Sequence, residues 1–587
     1  MRRTYARSAW LVPCVALAAY ANALGNGFAY DDHRIVAGNP VVTEARWDEA
    51  LFGPYWRWSG EGSGLYRPVT LATLALEWRA FDGAASGFHG VNVALHALAS
   101  LAVLELLAAL VGPAGATAGA LWFAIHPVHV EAVANVVGVS ELVSTLAALS
   151  ACLVWARTRA GPPGRRAAGL AAIALLYGLG LGAKEIAVSL PGLLLLMELA
   201  RGGEPLRARV AGVLPVLLTL SAVLGSYLVL RVSVLGTVTG EVVAPALRGL
   251  TTGERVMTSL SLWPEYLRLM AFPASLSADY SPGVLEVARS LTPPVILGAA
   301  LLVTWAAAAA LLLAGRAPAL GLGLAWFLVA VLPVSNLFFA TGVLLAERNL
   351  YLPSVGAALA VGGAVRWFVA SPRPERTRRL AGALAALAGV ALFVRTVTRN
   401  PAWWSTFTVM STLTEEHPES YVALQHVGAG LARVGDAEGA ARAFEAGLEL
   451  VPRSYALMVE AGGFYARARN ERRAEELLRH AIAEAPGQPT AYRLLAEQMI
   501  RLGRAREGHR IALEGLARAG PDRELWALVS EAYIAKGDLE ASVRARRAAL
   551  TQDPGSVHDW DRLAELLDAL GRDSEASAAR ARAGGGA

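Results

Sequence analysis

The stretch LAGALAALAGVALFV, Leu380–Val394, decides the fold. It is apolar throughout, follows the cluster Arg373, Arg376, Arg378 and Arg379, and with its flanks reads as a membrane helix over 380–398. Crossing a bilayer as a helix takes about 20 apolar residues. Toward the N terminus the same reading gives ten more spans, at 8–25, 90–111, 115–133, 136–156, 167–183, 186–200, 210–231, 295–315, 318–337 and 351–370. Toward the C terminus the chain changes character: 27 of its 48 acidic residues lie from Glu415 onward. Over all 587 residues, 55% are hydrophobic and 17% charged, against about 25% charged in soluble domains. That composition excludes a soluble enzyme. It predicts an all-α, polytopic membrane bundle of about eleven helices over 1–400, a linker at 401–417 and a water-exposed domain at 418–587.

The net charge of +5 does not point to nucleic acid. The arginines cluster between apolar segments, where they fix topology. Counting crossings from Arg2, Arg3 and Arg7 as cytoplasmic places Arg157, Arg159, Arg165 and Arg166 inside. The same holds for Arg201, Arg207 and Arg209, for Arg316, and for the cluster before Leu380. The first span reads as retained rather than cleaved, and an odd number of crossings puts the tail outside. Cys14 and Cys152 both fall in apolar runs and read as packing residues. Two long loops then face outward. One, near 25–89, gathers Trp47, Phe52, Tyr55, Trp56 and Trp58; the other, near 232–294, holds Leu262–Arg268. Each suits a short helix at the lipid–water boundary.

The tail repeats. Pro452, Pro486, Pro521 and Pro554 recur at 34, 35 and 33 residues, and Gly435, Gly503, Gly537 and Gly571 share one 34-residue grid whose missing position is Arg469. Small residues at Gly428, Ala440, Gly462 and Ala474, with large ones at Phe444, Tyr465, Trp526, Tyr533 and Trp560, complete a pattern similar to tetratricopeptide repeats, about five of them. Such helix pairs stack into an α-solenoid with a concave groove suited to extended peptides.

Several residues could carry chemistry. Asp31 and Asp32 follow the first span, and paired carboxylates beside lipid need a polar cavity; one of them could take a proton from an attacking hydroxyl. Arg67 closes the first outer loop in Tyr66-Arg67-Pro68, and Arg348 lies in Glu347-Arg348-Asn349; guanidinium groups there suit a lipid phosphate. Lys184, one of two lysines beside 51 arginines, stands in an apolar run next to Glu185, which could neutralise it. His126-Pro127-Val128-His129-Val130-Glu131 places two histidines three apart with a proline between them, unlike the four-residue spacing of a zinc-binding helix. Hydrogen bonding to a substrate or loop is the favoured role there, and no metal site is assigned. His96 reads as a core histidine. No Walker-type loop or dinucleotide fingerprint is present, so a transferred sugar would need a membrane-borne donor.

In their order along the chain these motifs resemble the transmembrane O-mannosyltransferases that carry tetratricopeptide repeats, polytopic glycosyltransferases of the GT-C type. The resemblance implies transfer of a sugar, typically mannose, from a polyprenyl-phosphate carrier to Ser or Thr hydroxyls of proteins on the extracytoplasmic side. By that resemblance Asp31 or Asp32, with Asp32 preferred, is the general base. Arg67, Lys184 and Arg348 hold the departing phosphate, His126, His129, Glu131, Glu185 and Glu347 line the pocket, and the repeats recruit the acceptor. No resident cofactor is implied, and the chemistry admits a divalent cation without requiring one. Two other readings remain open from sequence: a GT-C transferase acting on a lipid or surface glycan, and a non-catalytic membrane scaffold.

Overall fold

Every regular element among the described residues is a helix. A chain whose backbone polar groups must be satisfied inside lipid has little other choice. The computed structural model describes residues 2–584 except 57–63, 202–204, 239–242 and 316, and only the backbone of 2–6 and 206. Trp58, Arg316 and the side chains of Arg2 and Arg3 therefore lie outside the described residues. The chain divides into two units that meet at Ser420 and Tyr421.

Seven helices of the first unit are long and apolar enough to cross a membrane: Arg7–Gly25, Ala85–Ala124, Val136–Thr158, Pro163–Ala183, Arg207–Leu235, Pro293–Ala314 and Glu375–Trp403. They account for seven of the eleven expected spans. The other four are shorter. The expected 115–133 helix is the second limb of Ala85–Ala124, broken at Gly112 (φ 73°, ψ 174°) and ending ahead of Pro127. The 186–200 span is the ten-residue helix Leu190–Leu199, and the last two are the apolar segments Pro318–Val334 and Ser354–Ala370. At 1.5 Å per residue, helices of 10 to 17 residues cover about 15–26 Å, less than a hydrocarbon core of about 30 Å. Hydropathy averages straight across the prolines that end these helices.

The breaks position the site. Tight 3₁₀ turns at Pro127–His129, Val136–Gly138, Glu185–Ser189, Leu332–Val334 and Glu347–Leu350 interrupt apolar sequence. Non-helical backbone at membrane depth is tolerated where it lines a polar cavity or is covered by protein. Small residues hold the surrounding helices close. A Cβ on Gly115 would stand 2.4 Å from the Gly362 carbonyl oxygen, and one on Gly119 would stand 2.4 Å from that of Ala358. Such contacts replace the hydrophobic drive that lipid removes.

The two long loops near 25–89 and 232–294 are more ordered than their sequence suggests. Trp47–Phe52 forms the expected short helix with Phe52 exposed, but Tyr55 turns inward. The helix Pro68–Phe81 was not expected within this loop. Trp263–Ala271 buries Trp263, Tyr266 and Leu269 against Phe327 and Leu350, so it packs on the bundle. Residues 401–417, expected as a linker, are mostly helical. Asn400–Trp403 and Thr406–Glu416 pack into the first unit through Trp403, Val409, Met410 and Leu413, and buried Arg399 pairs with Glu416 at 2.7 Å.

The second unit is five helix pairs, from Tyr421–Val434 to Asp573–Gly584. Phe444 fills the space over Gly428, where a Cβ would meet its ring at 3.0 Å, and Leu478 does the same over Gly462. The glycine grid marks left-handed turns between paired helices: Gly435, Gly503, Gly537 and Gly571 all have φ between 70° and 90°. Arg469 keeps the same turn at φ 59°, a conformation that costs a residue with a Cβ about 1–2 kcal/mol.

Candidate functional site

The loop carrying the aspartates is anchored from three sides. The Asn26 amide donates to the Asn400 carbonyl at 3.2 Å, the Gly27 N–H donates to the Trp404 carbonyl at 2.9 Å, and the His89 ring meets the Gly27 carbonyl at 3.2 Å. Tyr30 then takes a left-handed conformation (φ 52°), and its N–H donates to Thr406 Oγ1 at 2.8 Å.

The two aspartates part at this turn. Asp32 is fully buried, and its carboxylate oxygens accept the N–H groups of Ala29 and Val137, both at 3.0 Å. Burial pushes its carboxyl up to about 7 despite those donors. Asp31 is half-buried, close enough for its charge to act on Arg348 and on the Tyr55 hydroxyl. Asp32 thus ties the loop to the turn at Val136–Gly138, and Asp31 is the less buried of the two carboxylates.

The three cations singled out in the sequence come together, each held by a carboxylate. Arg67 donates through Nε and Nη2 to Glu185 Oε2 at 3.0 and 2.8 Å, with its guanidinium 5.3 Å from the centre of the Tyr55 ring. Lys184 is buried and pairs with Glu141 and with Asn349 Oδ1, the latter at 3.1 Å. Arg348 pairs with Glu131, which also accepts the Arg348 N–H at 2.8 Å, and its Nε lies 3.8 Å from Glu141. The Lys184 ammonium feels both Arg67 and Arg348, so the three positive groups converge. This alternation of cations and carboxylates leaves a preorganised set of donors suited to a phosphate.

The hydrogen bonds of Glu185 go to arginines and not to Lys184, its neighbour in sequence. Glu185 bridges Arg67 and Arg231, the latter at 3.3 Å. Burial alone would raise its carboxyl, but the two guanidinium groups hold it down at about 2. Three other expected pocket residues have buried partners of their own. His126 Nε2 meets the Met270 carbonyl at 3.3 Å, and His129 Nε2 meets Ser354 Oγ at 2.8 Å. Glu347 faces the loop between Ala271 and Pro293, accepting from Ser277 N–H at 2.6 Å and Tyr280 hydroxyl at 2.7 Å, and burial raises its carboxyl to about 8. These three hold loops and core; they do not join the cluster of cations. Among the described residues no group of three or more His, Cys, Asp or Glu is gathered as metal ligands are.

Sequence reasoning missed Glu141, Asn349 and Arg231. Glu141 is a charge within an apolar run, the signal that singled out Lys184. Arg231 stands near the C-terminal end of an apolar helix, away from the arginine clusters. It is buried and donates to the carbonyls of Val238 and Gly64, each at 2.8 Å, joining the two long loops to Glu185.

No family model matches the chain. Curated relatives do, along nearly its whole length. Protein O-mannosyl-transferase TMTC3 of Mus musculus is 25% identical over 612 residues, 94% of this chain, and its Homo sapiens counterpart is 24% identical over 624 residues, 96% of the chain. The chain is similar to the protein O-mannosyl-transferases along most of its length. Tmtc2 of Drosophila melanogaster, another protein O-mannosyl-transferase, is 32% identical over 296 residues, 47% of this chain and 31% of its own length. The chain spans 65% and 66% of the lengths of the two TMTC3 proteins. Among solved structures, a crystal structure of MamA matches 28% of the chain at 17% identity with a TM-score of 0.26, covering 91% of MamA. Pseudomonas aeruginosa PilF matches 29% at 15% identity with a TM-score of 0.26, covering 78% of that chain.

Proposed function

We propose that this membrane protein transfers a sugar, with mannose as the first to test, from a polyprenyl-phosphate donor to Ser or Thr hydroxyls of proteins on the extracytoplasmic side. The observation that carries the reading is the convergence of Arg67, Lys184 and Arg348 beside the Asp31 loop. Asp31 takes the proton of the acceptor hydroxyl as its oxygen attacks the anomeric carbon. The bond from that carbon to the phosphate oxygen breaks with inversion, and its electron pair leaves on polyprenyl phosphate. The three cations hold the charge that develops there. Asp32 is the positioning carboxylate: with both oxygens accepting backbone N–H groups, it is the poorer base. The similarity to protein O-mannosyl-transferases supports protein as the acceptor. The groove of the repeats is the element that recruits it.

Purified membranes given a polyprenyl-phosphate sugar and a Ser/Thr-containing acceptor protein test this reading. Transfer to the acceptor that is lost in Asp31→Ala supports it; normal transfer by Asp31→Ala refutes the catalytic assignment. For sidedness, a cysteine placed in the repeats should react with an impermeant reagent in intact spheroplasts. Protection of that cysteine would reverse the orientation.

A further inference from the structure

One set of exposed side chains beside the aspartate loop is unused in this chemistry. Along the helix Glu375–Arg399, Leu380, Leu384, Leu387, Val390 and Val394 are each more than half exposed, at a spacing that lines one helix face. On a candidate membrane span such a stripe faces lipid. Past the end of that helix come Trp404, 53% exposed, and Phe407, 72% exposed, on the segment that enters the helix Thr406–Glu416. The opposite side of that helix is committed, since Val409, Met410 and Leu413 are buried in the first unit.

The same short segment holds the aspartate loop. The Trp404 carbonyl accepts the Gly27 N–H at 2.9 Å, and Thr406 Oγ1 accepts the Tyr30 N–H at 2.8 Å. The Trp404 indole also lies against the backbone at Gly25, where a Cβ would stand 3.6 Å from the ring. From the exposed aromatics to Asp31 there is therefore only a few residues of hydrogen-bonded backbone.

We propose that Trp404 and Phe407 dock into the headgroup region of the bilayer and so fix the depth at which Asp31 meets a lipid-borne phosphosugar. The inference deepens the proposed function and rests on it for the donor; the docking itself stands on the exposure of both aromatics immediately past the end of a candidate membrane span. Aromatic rings settle at the lipid–water boundary because an apolar body and a polar edge are satisfied there together. The two residues are positioning residues: they touch neither sugar nor phosphate, and they act through the 404–406 segment on the loop.

Two measurements on the full-length protein in liposomes test this. First, a spin label at Phe407→Cys should show the oxygen and nickel-chelate accessibility of the headgroup region, unlike a control label in the repeats. Second, Trp404→Ala with Phe407→Ala should raise the half-saturating concentration of a long-chain polyprenyl-phosphate sugar about tenfold, equal to about 1.4 kcal/mol, while a short-chain, water-soluble donor is turned over at the unchanged rate. Trp404→Phe with Phe407→Trp should restore the long-chain value. A label in bulk water overturns the proposal, as does an equal loss with both donors or no loss with either. A wild-type protein inactive with every polyprenyl donor would refute the proposed function instead, and the label would still decide the docking.

Discussion

Exchanging the two aspartates one at a time separates a base from a structural carboxylate. Removing a general base costs about 10²–10⁴ in rate, or roughly 3–5 kcal/mol of barrier. Asp31→Asn should therefore lose transfer by that factor with no change in thermal stability. Asp32→Asn should behave in the opposite way. The amide keeps one acceptor for two N–H donors, and the orphaned donor costs about 1–3 kcal/mol. Against this, a carboxyl moved from 3.8 to about 7 by burial carries about 4 kcal/mol between its two protonation states. Because the folded value is raised, the folded state holds this proton more tightly than the unfolded state. Its stabilising share is present at low pH and falls as pH rises from about 4 through 7. Wild type should lose stability between about pH 4 and 7, and Asp32→Asn should be flatter, so that the two unfolding temperatures converge or cross near pH 7. Differential scanning fluorimetry in detergent across that range gives the stabilities, and transfer at pH 7.5 gives the rates. An active Asp31→Asn, or an Asp32→Asn with wild-type stability and no transfer, would reverse the assignment.

Glu185→Gln leaves Arg67 and buried Arg231 sharing a neutral partner. With Glu185 a third exposed, we expect a loss of about 2–3 kcal/mol in thermal unfolding and a weaker apparent affinity for donor. Arg231→Lys keeps the charge but cannot reach both loop carbonyls and Glu185 in one plane, so stability should fall while the pH profile of transfer stays fixed. Lys184→Met removes one of three phosphate donors; product release and donor binding should weaken together, read as a rise in KM with the acceptor KM unchanged. Arg469→Gly relieves a left-handed turn at the cost of some chain entropy, for a net gain of about 1 kcal/mol, seen as roughly fivefold slower hydrogen exchange in the helices Tyr455–Arg467 and Glu471–Glu484.

Much of the architecture could be read from the sequence because its signals are local. The glycine grid coincides with the left-handed turns, Arg469 included, and Gly428 and Gly462 lie where paired helices meet. Asp31, Arg67, Lys184 and Arg348 stood out as charges in apolar surroundings, and the fold brings them together. The partners of those charges were not legible. Pairing of Lys184 with Glu141 and of Glu185 with Arg231 spans 43 and 46 residues, and nothing local in the sequence specifies it. Adjacency suggested Lys184 with Glu185, but consecutive residues at a helix break point in different directions. Four of the counted spans are shorter in the structure for a related reason: Gly112 and Pro127 break helices, and Pro191 starts a new one, inside runs whose average hydropathy stays high. Chemical identity alone does not separate neighbouring aspartates; the proposal of Asp31 over Asp32 as base rests on their difference in burial.

The most direct test of the central idea is to supply membranes holding this protein with a radiolabelled polyprenyl-phosphate mannose and an acceptor protein, then locate the label by mass spectrometry. The account predicts hexose on Ser or Thr of the acceptor, released polyprenyl phosphate in equal amount, and loss of both when Arg67 and Arg348 are replaced by alanine. Label confined to lipid or glycan, or transfer that survives the double arginine replacement, would contradict it.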